Sequence, residues 1–225
     1  MASDTAILIP ARMASSRFPN KMLADLNGKS LIRTVYDKCK ESGLPTFVLT
    51  DSDEIRSEVK SAIITPDADN GTARCSYGMH NLPPFDYYIN VQGDMPDITV
   101  DIISAVRKKL KHYSVTTAYT EMSPKLRRDP NTVKLIHNRD SAHWFCRASL
   151  EYGDHHLGVY GYSHDMLGMY NLIQKHHAEE HEDLEQLRWL QNGVRIGITK
   201  VKFGGIEINT SSDLTLWQRT DRSMS

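Results

Sequence analysis

The chain has 225 residues, a formal net charge of −1, 40% apolar and 24% charged residues. That length supports a full core and one α/β domain, and the near-zero charge excludes a bulk nucleic-acid binder or a polybasic membrane binder, so partners are recognised locally. Cys39, Cys75 and Cys146 are odd in number, widely spaced and free of any CxxC pattern, which points to reduced thiols rather than a disulfide framework or a zinc site.

Apolar runs alternate with helical periodicity along the chain, the pattern of βαβ units. Ala6–Ile9 reads as a buried strand that feeds a loop carrying Arg12, Ser15, Ser16, Arg17 and Lys21. Ser30–Lys40 places Leu31, Ile32, Val35 and Cys39 at helical spacing, with Ser30 as N-cap. Thr46–Thr50 is a second strand, after which Asp51 and Asp53 are placed to cap a short helix over Ser52–Lys60. Ile63 and Ile64 mark a third strand ahead of a turn, PDADNGT. Tyr87–Val91 is the next buried strand, and Thr99–Lys111 is a helix with Ile102, Ile103, Val106 and Leu110 inward. Ser114–Tyr119, Thr132–His137 and Leu157–Tyr162 read as strands, followed by a polar helix over His181–Gln191. Ile196–Val201 alternates as a strand and leads to Ile206–Leu214. Residues 1–225 form one expected domain, with a small subdomain or insertion at about 125–157 where the strand–helix rhythm breaks. No apolar stretch approaches the roughly 18 residues of a membrane span, and no signal-peptide pattern opens the chain. The expectation is an unprocessed cytoplasmic protein.

Four stretches carry chemistry. Ligands of open α/β sheets collect beyond the carboxyl ends of the strands, and the cations and hydroxyls of residues 12–21 suit a polyphosphate that needs charge-assisted donors from several sides. Asp94, one glycine past Tyr87–Val91, falls at the same sheet edge and suits Mg²⁺, which is held by one or two carboxylates plus waters and substrate oxygens, with a cap of the following turn as the alternative. In DNGTAR, Asn70-Gly71 reads as a turn presenting Thr72 and Arg74 to a nucleotide, with an ordinary surface turn as the alternative. In HHAEEHEDLEQLR, His177 and His181 stand at i, i+4, yet the pattern of a zinc protease helix is missing, so a solvated helical face with one ligand-facing edge is the better reading. Neither GxSxG nor a paired Cys and His is evident, which disfavours a covalent mechanism.

Taken together, LIPARMASSRFPNKML, NGTAR, NVQGDMP, DPNTVK, FCRA, HLGVYGY, EDLEQLR and EINTSSDL resemble, in the same order, the motifs of the 3-deoxy-manno-octulosonate cytidylyltransferase (CMP-Kdo synthetase) family. The resemblance runs from about Ala6 to Leu214. It implies a nucleotidyltransferase-like, three-layer α/β/α fold with a mostly parallel central sheet, and a homodimer serving lipopolysaccharide or capsule assembly. The implied reaction is Mg²⁺-dependent transfer of CMP from CTP to the anomeric hydroxyl of a 3-deoxy-2-keto sugar acid, with release of pyrophosphate. By resemblance Arg12, Ser15, Ser16, Arg17 and Lys21 hold the CTP phosphates, Arg74 and Gln92 seat the nucleotide, and Asp94 binds Mg²⁺. Arg147, His156, Tyr160, Glu185 and Gln186 match positions that line the sugar site. Arg147 is the natural partner of the sugar carboxylate, since a planar guanidinium grips it bidentately.

The chain also departs from the family pattern. Asn209 stands where the family usually has Asp, which removes one charge from the implied metal site and predicts weaker metal affinity or a changed metal preference. Its carbonyl can still coordinate a hard cation, and Glu207, two residues earlier on an expected strand, is a possible substitute. Met95 replaces a common Glu. The segment Ser149–His155 is shorter than in the family, which leaves the sugar acceptor and the dimer contact less determined than the nucleotide chemistry. Two alternatives stay open: a nucleotidyltransferase for another sugar acceptor, and a nucleotide-binding homologue with weakened catalysis.

Overall fold

A computed structural model describes residues 3–14 and 18–221 of the chain. β1 (Thr5–Ala11) leads through a short 3₁₀ turn, Lys21–Leu23, to a hairpin of β2 (Asp25–Leu26) and β3 (Lys29–Ser30), then α1 (Leu31–Lys40) and β4 (Thr46–Thr50). α2 (Asp53–Glu58), β5 (Ile63–Ile64), α3 (Gly71–Gly78), β6 (Tyr87–Val91) and α4 (Val100–Lys109) follow. Next come β7 (Val115–Thr120), α5 (Pro124–Arg127), β8 (Lys134–His137), β9 (Ala142–Cys146) and β10 (Asp154–Ser163). α6 (His164–Met169), α7 (His177–Glu182), α8 (Leu187–Gln191), β11 (Ile196–Lys200) and α9 (Ser211–Asp221) complete the order.

The sheet runs β11-β7-β10-β6-β1-β4-β5. Every neighbouring pair is parallel except the two made by β10, which runs against both β6 and β7. β1 shows why a continuous apolar run is required at the centre. Ile7, Ile9 and Ala11 enter the core on one face with α1, α2 and α4, while Ala6 and Leu8 enter the core on the other face with α3, α6 and α8. Both faces are covered, so alternation would bury polar groups.

Ser30 caps α1 by accepting from the Arg33 N–H, and Thr99 caps α4 in the same way through Ile102. The cap of α2 is Ser52, not Asp51 or Asp53: its hydroxyl accepts from the Ile55 N–H, a contact that only the residue at the N-cap dihedral can make. The expected helix over His181–Gln191 is two short helices, α7 and α8, because Asp183 takes a left-handed conformation (φ 51°) and breaks the first. No strand forms at 201–209, where Glu207 was expected on one; α9 starts at Ser211. Within residues 125–157, β8 and β9 form an antiparallel ribbon joined to the sheet through β10. No helix among the described residues is long and apolar enough to cross a membrane.

β1 pairs with β6 only through Leu8↔Asn90 but with β4 as far as Ala11↔Thr50. Pro10, which has no N–H to give a ladder, therefore lies where β1 and β6 diverge. A crevice opens there at the carboxyl ends of the parallel strands, the usual ligand position in such sheets.

Candidate active site

A cleft of about 520 Å³ opens at this edge. It is lined by Arg12, Lys21, Arg74, Gln92, Asp94, Arg147, His156, Tyr160, Glu185, Gln186 and Asn209. Ser15, Ser16 and Arg17 lie outside the described residues. The lining residues come from segments up to nearly 200 positions apart in the sequence, and the fold collects them at one place.

The near wall is built on Gly93. A Cβ there would stand 2.9 Å from Met22 Sδ and 3.2 Å from the Pro10 carbonyl oxygen, so only glycine lets the end of β6 approach the end of β1. That approach brings Lys21 Nζ to 2.8 Å from Asp94 Oδ2, with both side chains largely buried. Arg12 lies exposed at the mouth. The Asp94 carbonyl accepts from the Ile208 N–H (2.9 Å), which fastens the 207–209 segment beside the carboxylate. Asp97 holds the same segment from below: Oδ2 accepts from Ile206 N–H and Oδ1 from Trp217 Nε1, both at 2.8 Å. Asn209 therefore reaches the cleft by a loop and not by a strand. Glu207 lines the cleft as well, its carboxylate 3.5 Å from His155 Nε2 and 3.5 Å from the Gly158 N–H.

The floor is the start of α3. Asn70-Gly71 is no surface turn: Asn70 is the N-cap, its side chain accepting from the Ala73 N–H. The cap residue starts a helix here because the following residues carry α3 into the core. Thr72 and Arg74 are consequently buried. Arg74 gives Nη2 to Asp51 Oδ2 (2.5 Å) and Nη1 to Thr65 Oγ1 (2.7 Å) and the Pro66 carbonyl (3.3 Å), so its donors fasten α3 to the ends of β4 and β5. Glu185 sits at the same helix N-terminus, accepting from the Thr72 N–H at 2.9 Å and from Gln92 Nε2 at 3.0 Å. Desolvation pushes its carboxyl pKa up, and the bond from Thr72 works in the opposite direction. Glu185 thereby orients Gln92, whose amide would overlap a Cβ on Gly71.

The far wall comes from β10 and the turn between α7 and α8. A register shift between Leu157 and Tyr160 bulges β10, and Gly158 uses it to meet the Gln92 N–H with its carbonyl (3.0 Å). Tyr160 Oη donates to Gln186 Oε1 (3.1 Å), while Gln186 Nε2 is buried without a partner among the described residues. Arg147 gives Nε to the Glu182 carbonyl (3.1 Å) and Nη1 to the carbonyls of Pro130 (3.4 Å) and Asn131 (3.3 Å). The tract from His176 to Arg188 has the expected solvated side, with His177, Glu180 and His181 exposed, and an inward edge that turns Glu185 and Gln186 to the cleft and also buries Glu179 and Arg188. Glu179 and Arg188 are 4% and 5% exposed and pair through two bonds of 2.7 and 2.8 Å, and Asn70 Nδ2 reaches the same carboxylate (3.4 Å). His177 and His181 lie with ring centroids 5.8 Å apart and planes tilted by 44° on the exposed side of α7. Among the described residues no three His, Cys, Asp or Glu side chains group as a metal cage.

His156 is buried, with Nε2 at 2.9 Å from Thr117 Oγ1. That hydroxyl gives its proton to the Val159 carbonyl at 2.7 Å, so His156 Nε2 carries the ring proton and Nδ1 is left as an acceptor. Burial first, then the charges of His155 and Arg147, holds the imidazole pKa down at about 3. A histidine neutral in the fold and free to protonate when unfolded stabilises fully above its unfolded pKa of about 6.5, and the contribution is lost as pH falls from there towards 3. Stability should drop below pH 6.5 with a contribution from this residue of up to about 1.4 kcal/mol per pH unit. Chemical denaturation across pH 4–7 checks this, with His156→Gln flattening the slope; an unchanged slope would show that the ring is solvated.

Sequence reasoning omitted the residues that hold the site together, Asp97 and the buried pair Glu179–Arg188. Asn70 had a readable signal, a capping residue before a helix-compatible stretch; Asp97 had none, because its partners are more than 100 residues away.

A family model described as cytidylyltransferase matches residues 6–196. A 3-deoxy-manno-octulosonate cytidylyltransferase from Methylorubrum extorquens (strain PA1) is 35% identical, with 94% of each chain covered, and one from Brucella anthropi is 36% identical, with 93% of each covered. Among solved structures, a CMP:2-keto-3-deoxy-manno-octonic acid synthetase complexed with CTP superimposes with a TM-score of 0.91 at 30% identity, covering 99% of this chain and 100% of that one. A 4-diphosphocytidyl-2C-methyl-D-erythritol synthase from Anaerococcus prevotii, 10% identical with a TM-score of 0.69, shares the fold alone. The chain belongs to the 3-deoxy-manno-octulosonate cytidylyltransferase family and is an enzyme that transfers cytidylyl groups.

Proposed function

We propose that the chain transfers CMP from CTP to the anomeric hydroxyl of 3-deoxy-manno-octulosonate and releases pyrophosphate, with Mg²⁺ as its metal. The observation that carries this reading is the pairing of two unlike walls across one cleft. Lys21 and Asp94 stand at the strand ends, opposite Arg147 and the Tyr160–Gln186 pair. Cations and a carboxylate suit a metal triphosphate, whereas a guanidinium with neutral donors and acceptors suits a polyhydroxylated acid. A homodimer working in the cytoplasm belongs to the same reading, on the family resemblance.

The donor set fits a hard cation. Lys21 takes Asp94 Oδ2, Oδ1 accepts no hydrogen bond among the described residues, and Asn209, which lines the same cleft, would add its side-chain carbonyl as a second oxygen ligand. One carboxylate and one amide oxygen suit an ion that keeps waters and takes the rest of its shell from phosphates. When bound, Mg²⁺ would supply charge neutralisation on the phosphates.

The chain's own groups do the rest. Lys21 and Arg12 face the triphosphate and stabilise the charge that gathers on pyrophosphate as the bond from the α-phosphorus to its bridging oxygen breaks. Gln92, fixed by Glu185, seats the nucleotide. Arg147 grips the acceptor carboxylate, and Gln186 Nε2 and His156 Nδ1 offer a donor and an acceptor to its hydroxyls. The anomeric oxygen is thereby held in line with the α-phosphorus, so positioning supplies much of the acceleration. A pyrophosphate-release assay over the four nucleoside triphosphates, with 3-deoxy-manno-octulosonate and a sialic acid as acceptors, tests the reading. CTP with the octulosonate should give the fastest release, and EDTA should stop it. CTP binding without turnover on this acceptor would overturn it.

A further inference from the structure

Lys134, the first residue of β8, is fully buried and makes no ion pair among the described residues. An ammonium taken out of water without a carboxylate is costly unless every donor is used. Here each is: Nζ gives to the carbonyls of Asp129 (2.6 Å), Thr132 (2.9 Å) and Arg147 (3.0 Å). Burial draws the lysine pKa down, and the neighbouring Arg147 adds to that shift.

The choice of carbonyls gives this residue a task. Asp129 and Thr132 bracket the segment whose Pro130 and Asn131 carbonyls receive Arg147 Nη1. Asp129 stiffens that segment further, its carboxylate accepting from the Asn131 N–H and the Thr132 hydroxyl. The third carbonyl belongs to Arg147 itself. One ammonium thus ties the backbone of the arginine to the loop that frames its guanidinium. Lysine suits the place because three rotatable donors on a point charge can meet three carbonyls from different directions, which a planar fork cannot.

We propose that Lys134 is a positioning residue for the acceptor: through three backbone carbonyls it fixes the 129–132 loop and Arg147 so that the guanidinium faces the acceptor carboxylate. The inference rests on the reading of Arg147 given under Proposed function. A side chain that only filled the core would lower stability and affect both substrates alike. A positioning residue acts on one substrate through one partner.

The test is a double-mutant cycle on the full chain, with Lys134→Met, Arg147→Ala and the double variant assayed with CTP and 3-deoxy-manno-octulosonate. Lys134→Met should raise the acceptor KM about tenfold or more while kcat and the calorimetric Kd for CTP stay within about twofold. In the Arg147→Ala background the same change should have no further effect on acceptor KM. Should Lys134→Met not fold, Lys134→Gln keeps two donors at the position and carries the same expectation in weaker form, with CTP binding reporting the fold. An effect of equal size with and without Arg147, or equal losses for both substrates, would overturn the proposal. An Arg147→Ala enzyme with unchanged acceptor KM would instead overturn the assignment of Arg147, and this inference with it.

Discussion

Asp94→Ala should lower kcat by about 10³-fold or more while CTP binding changes by less than about tenfold. Asp94 is the carboxylate at the end of β6 on the cleft, it shares one oxygen with Lys21, and its own carbonyl fastens the segment that carries Asn209. The substitution removes the only full negative charge of the proposed Asp94–Asn209 ligand pair, and the remaining amide oxygen is a weak ligand alone. Lys21 stays in place to meet the phosphates, so the loss falls on the chemical step and not on ground-state binding. Asp94→Asn keeps the shape and removes the charge, so it should resemble Asp94→Ala in turnover and the wild type in fold. Pyrophosphate release under saturating substrates, with calorimetry for CTP, separates the two effects. Turnover near that of the wild type would take Asp94 out of the machinery.

Arg188→Met should destabilise the fold by about 3–5 kcal/mol and lower the Tm by roughly 10 °C or more. The guanidinium of Arg188 gives two bonds to Glu179, one to the Tyr170 carbonyl, and stacks on the Tyr170 ring at 4.1 Å. Without it the Glu179 carboxylate is left buried beside Asn70 Nδ2 and Tyr170 Oη, which cannot neutralise it. The damage should reach the site, because Asn70 caps α3 and the start of α3 holds Glu185, which holds Gln92. Adding Glu179→Gln should recover part of the loss by removing the stranded charge. Thermal unfolding of the two variants measures this, and a loss below about 1 kcal/mol would show that the pair is solvated.

The same pair shows where reading by residue type fails. HHAEEHEDLEQLR is rich in charge and reads as a solvated helical face with one ligand-facing edge, yet one acid and one base in it are buried against each other. Local composition carries no sign of which charge will find a partner nine residues on, across a break at Asp183. DNGTAR fails for a related reason. Asn-Gly is a turn signal and also a cap signal, and the choice is made by whether Ala73 and Cys75 have a core to enter.

Other features were legible because their causes are local. β4 and β6 match their expected runs residue for residue, and Ser30 caps the helix it precedes. Of the residues read as one site, those described, all but Ser15, Ser16 and Arg17, line one cleft, and the motif order identified the family. Short apolar runs between turn residues fit strands covered on both faces, and the glycine after β6 is where the backbone comes close to Met22 and the Pro10 carbonyl.

The sequence by itself determined the βαβ rhythm, the strand that ends at the cationic loop, the carboxylate beyond β6 and the family. Tertiary structure decided the rest. It ran residues 201–209 as a loop that brings Glu207 and Asn209 to the same cleft as Asp94, turned Arg74 inward to Asp51, and set Lys134 under Arg147. Periodicity and capping act over a few residues and leave their trace in spacing. Burial of a charge depends on partners brought by distant segments, and only the folded chain sets those distances.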